Sequence, residues 1–244
     1  MTSVLQRVQL TKQLELWQRK RGHRTGTDDV LCAWAGHAAA PEARTVLDLG
    51  AGQGAVGLML SGALPDADVV AIEAQEVSFE LLKRNVQANA LSARFTLVHG
   101  DLREAQPTGG PFELITGTPP FMPLGSGTPP KDPQREAARF ELRGGIEAYC
   151  AAAVEHLARD GVLVIVMDAA RPGRYEQAIV DAGLGVQRVM EVLPKPDQAP
   201  TYLIYWSGHD MPKEAPMREK LVVRDAQGRW TEGFQSVRQA LDLP

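Results

Sequence analysis

A short apolar stretch followed by three closely spaced glycines constrains the fold of this chain more than any other feature. Residues 45–49 are apolar except for Thr45 and Asp48, and they lead directly into Gly50-Ala51-Gly52-Gln53-Gly54. The glycines permit a tight turn and let the backbone approach a ligand closely. An apolar helical pattern follows over residues 55–60. The sequence therefore predicts a buried strand, a glycine loop and a helix.

Strand and helix patterns alternate along most of the chain that follows. The spacing of apolar residues predicts further strands at 68–72, 95–98, 112–115, 162–167, 187–193 and 201–206. A helical pattern runs from about 134 to 157, with Gly144-Gly145 as a candidate break. This alternation predicts an α/β fold with a doubly wound, mainly parallel sheet.

Two further segments flank the predicted core. We expect residues 1–44 to form an N-terminal helical segment that packs on the core, residues 45–210 the main domain, and residues 211–244 a C-terminal hairpin and helix extension. The hairpin signal is Asp225-Ala226-Gln227-Gly228, which lies between residues 221–224 and 229–231.

The overall charge limits the partners that the chain can attract. The 244 residues carry a net charge of −4, so no global basic field recruits nucleic acid, and duplex DNA is not an expected partner. A nucleic-acid role would need a local patch such as residues 19–24. The two cysteines and five histidines lack metal-ligand spacing, which predicts no metal site. No apolar leader or membrane-length run is present, so a cytoplasmic location is expected.

Acidic residues follow three successive predicted strands. Asp48 precedes the glycine loop, Glu73 ends the second strand and Asp101 follows the third. Ligands of such sheets bind beyond the carboxyl ends of the strands. The glycine loop alone also fits a dinucleotide pattern, but a carboxylate at Asp48 is unfavourable beside a pyrophosphate and favourable beside a cation. Three carboxylates suit S-adenosylmethionine, whose ammonium, ribose and adenine include no phosphate.

The fourth strand ends in Thr118-Pro119-Pro120-Phe121, a second candidate catalytic feature. The prolines stop the strand, because proline cannot donate to a sheet ladder. An exocyclic amine is a weak nucleophile, since its lone pair is delocalised. The Pro119 carbonyl and Thr118 Oγ1 can accept from its N–H bonds and restore that lone pair, while Phe121 stacks on the substrate ring. Thr118, Pro119 and Phe121 are therefore the predicted catalytic residues, with Thr118 also facing the cofactor.

Taken together, these motifs resemble those of class I, Rossmann-like S-adenosylmethionine-dependent methyltransferases. More narrowly, the chain resembles the bacterial tRNA adenine-N6 methyltransferases that modify valine tRNA beside the anticodon. The resemblance includes residues 22–28, the glycine loop, the Pro-Pro-aromatic corner and residues 224–232. It implies a seven-stranded sheet with the last strand antiparallel and a flipped adenine as acceptor. It implies a cofactor site formed by Thr27, Asp48, Gly50, Ala51, Gly52, Glu73, Asp101, Leu102 and Thr118.

The sequence indicates methyl transfer to a nitrogen more specifically than it indicates which molecule accepts the methyl group. The family normally has Asn where this chain has Thr118, and a hydroxyl reaches less far than an amide. Arg24 and Arg139 belong to basic runs that can contact RNA phosphates, although solvated ion pairs explain such runs equally well. We therefore expect adenine-N6 methylation of a structured RNA such as tRNA. A small-molecule amine, a protein glutamine amide and a non-catalytic cofactor-binding module remain alternatives, with a nicotinamide-dependent reductase ranked last.

Overall fold

The computed structural model describes residues 4–244, so residues 1–3 of the predicted N-terminal segment lie outside the described residues. The chain begins with an antiparallel pair of strands, β1 (Leu5–Gln9) and β2 (Glu15–Arg19), followed by helix α1 (Thr27–Ala39). The helix agrees with the predicted segment, whereas the two strands were not predicted. They are attached to the core by the buried Asn85, whose amide side chain bonds the backbone N–H and C=O of Trp17 at 2.7 and 3.0 Å.

The remaining strands form one mixed sheet of eight, in the spatial order β10-β8-β9-β7-β6-β3-β4-β5. Neighbouring strands run parallel except for β9, which is antiparallel to both β7 and β8. Their bounds are β3 (Thr45–Leu49), β4 (Asp68–Glu73), β5 (Phe95–His99), β6 (Phe112–Gly117), β7 (Leu157–Asp168), β8 (Gly185–Leu193), β9 (Tyr202–Gly208) and β10 (Met217–Val222). The seven predicted strands are all present.

Strand β10 is an addition to the predicted seven-stranded sheet. The sequence predicted this segment as half of a hairpin, but β10 pairs in parallel with β8 at the sheet edge. The buried Leu221 and an ion pair between Arg188 and Glu219 hold it there. The predicted turn does form, with Gly228 at φ 81°, but its arms share only the bridge between Arg224 and Trp230.

Helices cover both faces of the sheet. On β4, Val69 and Ala71 belong to one apolar cluster with α1 and α2, while Val70 and Ile72 belong to another with α5 and α6. The alternation is that of a strand buried on both sides. The helices after α1 are α2 (Ala55–Ala63), α3 (Glu76–Ala88), α4 (Pro133–Arg139), α5 (Ile146–His156), α6 (Pro172–Asp181) and α7 (Glu232–Ala240). Within residues 4–244, no helix combines the length and apolarity needed to cross a membrane.

The long helical pattern near the middle of the chain is divided in two. Helix α4 ends at Arg139 and α5 begins at Ile146, so the break includes the predicted Gly144-Gly145. Gly144 has φ 94°, a conformation that side chains other than glycine rarely adopt. This break turns the chain back over the carboxyl ends of the strands, where Arg143 and Gly144 line a cavity.

Candidate active site

A cavity lies beyond the carboxyl ends of β3, β4 and β5, and we call it the first cavity. Parallel pairing brings these ends together, with Leu49 opposite Ile72 and Glu73 opposite His99. Of the predicted cofactor residues, the lining includes Asp48, Gly50, Ala51, Gly52, Glu73, Asp101, Leu102 and Thr118. Thr27 differs from these, because its side chain is exposed and does not line this cavity in the described part of the chain.

The glycine loop has the backbone conformation that its sequence predicts. Gly50 and Gly52 adopt φ values of 64° and 57°, which favour glycine. A Cβ atom on Gly50 would lie 2.1 Å from the Tyr149 hydroxyl, so this glycine also permits a close approach. A Cβ on Gly52 would meet no atom within 4 Å, because this part of the loop faces open space. The backbone at Gly52 is thus free to approach a ligand.

Glu73 fixes this loop from the neighbouring strand. Its two carboxylate oxygens accept hydrogen bonds from the backbone N–H groups of Gly52, at 2.8 Å, and Gln75, at 2.6 Å. Burial raises the pKa of Glu73 above its ordinary value, while these two bonds oppose the increase. Each oxygen retains a free lone pair, so Glu73 can accept hydroxyl groups of a ligand while it orients the loop.

A second carboxylate accompanies Asp48 at the start of the cavity. Asp48 accepts hydrogen bonds from Thr116 Oγ1 at 3.0 Å and from the Gly57 backbone at 3.2 Å, and burial raises its pKa to about 7. Asp29 lines the same cavity and accepts from the Gly26 backbone at 2.9 Å. Burial and the charge of Asp28 raise the pKa of Asp29 well above the ordinary range. A cation bound here would stabilise both carboxylates in their charged form.

Asp101 and Leu102 line the first cavity just beyond the end of β5. Asp101 forms a bidentate ion pair with Arg103, with distances of 2.9 and 2.7 Å, and this pairing holds its pKa below the usual range. The carboxylate is therefore ionised at neutral pH and retains acceptor capacity. His99, the last residue of β5, stacks on Phe79 with ring centroids 4.6 Å apart.

The Pro-Pro-aromatic corner separates the first cavity from a wider one, the second cavity. Thr118 lines both cavities, Pro120 lines the first, and Pro119 and Phe121 line the second. The corner is supported by Arg171, which follows β7, and by Tyr202, which begins β9. Arg171 donates a hydrogen bond of 3.1 Å to the Phe121 carbonyl, and the Phe121 ring lies 6.1 Å from that of Tyr202. The structure thus brings the three predicted catalytic residues to the boundary between two pockets.

The second cavity is mainly basic. Two acids, Asp28 and Asp168, also line it. The predicted substrate residues Arg24 and Arg139 are both part of its wall. The cationic side chains in the wall are Lys20, Arg21, Arg24, Arg135, Arg139 and Arg171. A concentration of positive charge in a chain of net charge −4 indicates an anionic ligand.

The methyltransferase small domain family matches this chain over residues 34–192, which is more than half of its length. The chain belongs to this family. It is an S-adenosylmethionine-dependent methyltransferase. Family membership therefore decides against the nicotinamide-dependent reductase and confirms the predicted cofactor. The lining of the first cavity fits that cofactor, since carboxylates for an ammonium and for ribose hydroxyls surround a glycine loop with open space at Gly52.

Curated relatives cover almost the whole methyltransferase. A protein from Porphyromonas gingivalis strain W83, named tRNA1(Val) (adenine(37)-N6)-methyltransferase, is 30% identical and aligns over 91% of this chain and 90% of its own. One of the same name from Bacteroides thetaiotaomicron is 28% identical over 93% of both chains. The chain thus resembles these enzymes along nearly its full length.

Solved structures share the fold at low sequence identity. A crystal structure titled as a predicted O-methyltransferase from Agrobacterium tumefaciens superimposes with a TM-score of 0.67 at 16% identity, over 89% of this chain and 98% of that chain. The crystal structure of a precorrin-6y C5,15-methyltransferase from Geobacter metallireducens superimposes with a TM-score of 0.53 at 15% identity, over 79% of this chain and 92% of that chain. These similarities confirm the Rossmann-like methyltransferase fold.

Three residues of the site were not predicted from the sequence. Asp29 and Arg171 were not among the predicted site residues, and His23 belonged only to the motif at residues 22–28. The acidic first turn of α1 was the available signal for Asp29, because Asp28 and Asp29 project in different directions from a helix. No sequence signal placed Arg171 beside Phe121, since fifty positions separate them.

Proposed function

We propose that this methyltransferase modifies the N6 amine of an adenine in a tRNA. The observation that supports this most directly is the position of Thr118, in the common wall of an acid-lined cavity and a cation-lined cavity. An acid-lined pocket suits a cationic methyl donor, and a basic one suits a polyanionic acceptor. A reacting nitrogen at Thr118 would have access to both. The relatives named for tRNA adenine methylation support the same acceptor.

On the cofactor side, we assign each carboxylate a separate part of the ligand. Asp48 and Asp29 attract the ammonium, Glu73 accepts the ribose hydroxyls and Asp101 accepts from the adenine amine. The backbone of Gly50, Ala51 and Gly52 contacts the ligand directly, while Leu102 packs on the adenine. When bound, S-adenosylmethionine supplies an electrophilic methyl group and leaves as a neutral thioether. Thr27, which is exposed, has no place in this assignment.

On the acceptor side, Thr118, Pro119 and Phe121 orient the amine. Phe121 stacks on the adenine, and its own backbone is held by Arg171. Thr118 Oγ1 and the Pro119 carbonyl accept from the amine N–H bonds, which localises the nitrogen lone pair. Alignment of this lone pair with the methyl group contributes most of the rate enhancement through proximity and orientation.

The basic wall of the second cavity is proposed to bind the tRNA backbone. Arg24 and Arg139 are exposed, and no ion pair within residues 4–244 occupies either guanidinium, so both are available to phosphates. Neutralised phosphates release counterions, and binding should therefore weaken steeply as salt rises.

A methyl-transfer assay with defined RNA tests this proposal. Purified protein is incubated with labelled S-adenosylmethionine and an unmodified valine tRNA transcript, and the digested nucleosides are separated. We expect N6-methyladenosine as the labelled product. The matched control is the same transcript with adenine 37, the position in the relatives' names, replaced by guanine; it should remain unlabelled. Label found only on small amines or glutamine peptides would refute the tRNA assignment.

A further inference from the structure

One titratable side chain lies on the boundary between the two cavities. His23, Thr118 and Ala138 line both of them, and His23 is the only residue of the three that can take up a proton near neutral pH. Within residues 4–244, neither ring nitrogen of His23 makes a hydrogen bond to the protein, although its backbone does. The imidazole is therefore available to a ligand at the position where a methyl donor and an acceptor would meet.

The backbone around His23 is held rigidly against α4. The His23 N–H donates to Gln134 Oε1 at 3.3 Å, and Arg19 forms a bidentate ion pair with Asp132 at 2.8 and 3.1 Å. A Cβ atom on Gly22 would lie 2.1 Å from Gln134 Oε1, so the two segments are in close contact. These interactions fix the backbone from which the imidazole projects.

We propose that His23 is a catalytic residue that accepts a hydrogen bond from the acceptor amine and takes up its proton. This inference rests on the proposed function, because it assigns a role at the same corner. The Thr118 side chain places its hydroxyl oxygen less far from the backbone than the Asn usual at this position in the family places its amide oxygen. The amine has two N–H bonds: the Pro119 carbonyl accepts one, and His23 shares the other with Thr118 Oγ1.

The proposed step balances in atoms and charge. The amine nitrogen forms a bond to the methyl carbon while the carbon–sulfur bond breaks and its electron pair stays on sulfur. The nitrogen then carries a positive charge and loses one proton, which His23 accepts to become imidazolium. The second cavity is open, so the proton can pass on to water.

The charged groups around His23 suit this proton transfer. Burial and the positive charges of Arg135 and Arg139 lower the pKa of His23, which keeps the ring neutral and able to accept. The charge of Asp28 acts in the opposite direction and stabilises the imidazolium after transfer. Asp168 and Arg171 also line the second cavity, and their charges are opposite.

Substitution of His23 tests this role. We expect His23→Asn, which keeps a hydrogen-bonding group but cannot take up the proton, to lower kcat about 100-fold, within the range of general bases. Affinity for S-adenosylhomocysteine, measured by calorimetry, should stay unchanged, and free imidazole should partly restore the activity of His23→Ala. The matched control is His156→Asn at the end of α5, which should behave as wild type. A kcat within threefold of wild type in His23→Asn would overturn the proposal.

A pH profile distinguishes a catalytic role of His23 from a structural one. A comparison of the variants on another amine distinguishes failure of this role from failure of the tRNA assignment. The wild-type kcat should fall at acidic pH as the ring of His23 is protonated, with the midpoint matching the pKa of His23 found by NMR titration. A pH profile identical in His23→Gln would contradict the role. If the wild type methylates a different amine, the same variants are compared on that amine, so failure of the tRNA assignment still leaves the role of His23 decided.

Discussion

Asp48 should make the folded protein less stable as the pH rises, and Asp48→Asn should remove that dependence. Burial raises the pKa of Asp48 from 3.8 to about 7. Between these values the folded state holds a proton that the unfolded state has released. The free energy of unfolding therefore falls with rising pH across this window and is constant above it. Each pH unit in the window corresponds to about 1.4 kcal/mol.

The effect is large enough to measure by urea unfolding of the protein without cofactor. The pKa of Asp48 in the folded state is about 7, so about two pH units of the sensitive range lie above pH 5. Raising the pH from 5 to 8 should therefore lower the unfolding free energy of the wild type by about 3 kcal/mol through Asp48. Asn cannot ionise, so Asp48→Asn should lose about 3 kcal/mol less over the same interval. Asp68→Asn, an exposed acid at the start of β4, is the matched control and should follow the wild type. Equal losses in wild type and Asp48→Asn would refute the assignment of the raised pKa to Asp48.

The same titration links Asp48 to the cofactor. The ammonium of S-adenosylhomocysteine favours the ionised carboxylate, so wild-type affinity should fall as pH decreases below about 7. In Asp48→Asn the affinity should be weaker at pH 8 and less dependent on pH. A residual dependence would come from Asp29, whose pKa is also raised. Calorimetry of wild type and Asp48→Asn over pH 5.5 to 8.5 measures the contributions of Asp48 and Asp29 to the pH dependence of the affinity.

Three further substitutions test the packing and charge of the site. Gly50→Ala introduces a Cβ that would lie 2.1 Å from the Tyr149 hydroxyl, and it should lower the Tm by several degrees, whereas Gly62→Ala in α2 should be neutral or stabilising; calorimetric scans compare them. Asn85→Ala removes three hydrogen bonds of a buried side chain and should cost about 2–4 kcal/mol in urea unfolding; a cost below 1 kcal/mol would contradict that role. Arg139→Gln should reduce the salt slope of tRNA binding by about one, and an unchanged slope would show that Arg139 contacts no phosphate.

The order of the central elements was predictable because each buried strand is a short apolar run and each break contains glycine or proline. The two strands near the N-terminus were missed for a physical reason. In β2 only Leu16 and Gln18 are buried, and the strand is held to the core by the side chains of Asn85 on α3 and of Asn89 just after it. A contact between residues 68 positions apart leaves no local pattern. Strand β10 likewise depends on pairing with β8 and not on its own composition.

The part of the candidate site that lies at the strand ends could be predicted from the sequence. Asp48, Glu73 and Asp101 meet because parallel strands place their carboxyl ends at one edge. The contribution of α1 was harder to predict. Neighbouring residues of a helix point in different directions, so an error of one or two positions changes which side chain enters the cavity. Asp29 accepts from the Gly26 backbone and points inward, which leaves Thr27 exposed. The basic residues of the second cavity come from three parts of the chain, and their meeting is set by the fold alone.

A crystal structure with S-adenosylhomocysteine and adenosine would test the central claim most directly. We predict the homocysteine ammonium beside Asp48 and Asp29, the adenosine ring against Phe121, and its N6 atom close to both the sulfur and Thr118. Density for the sulfur on the far side of the glycine loop, or for adenosine away from the Pro-Pro-aromatic corner, would contradict the account.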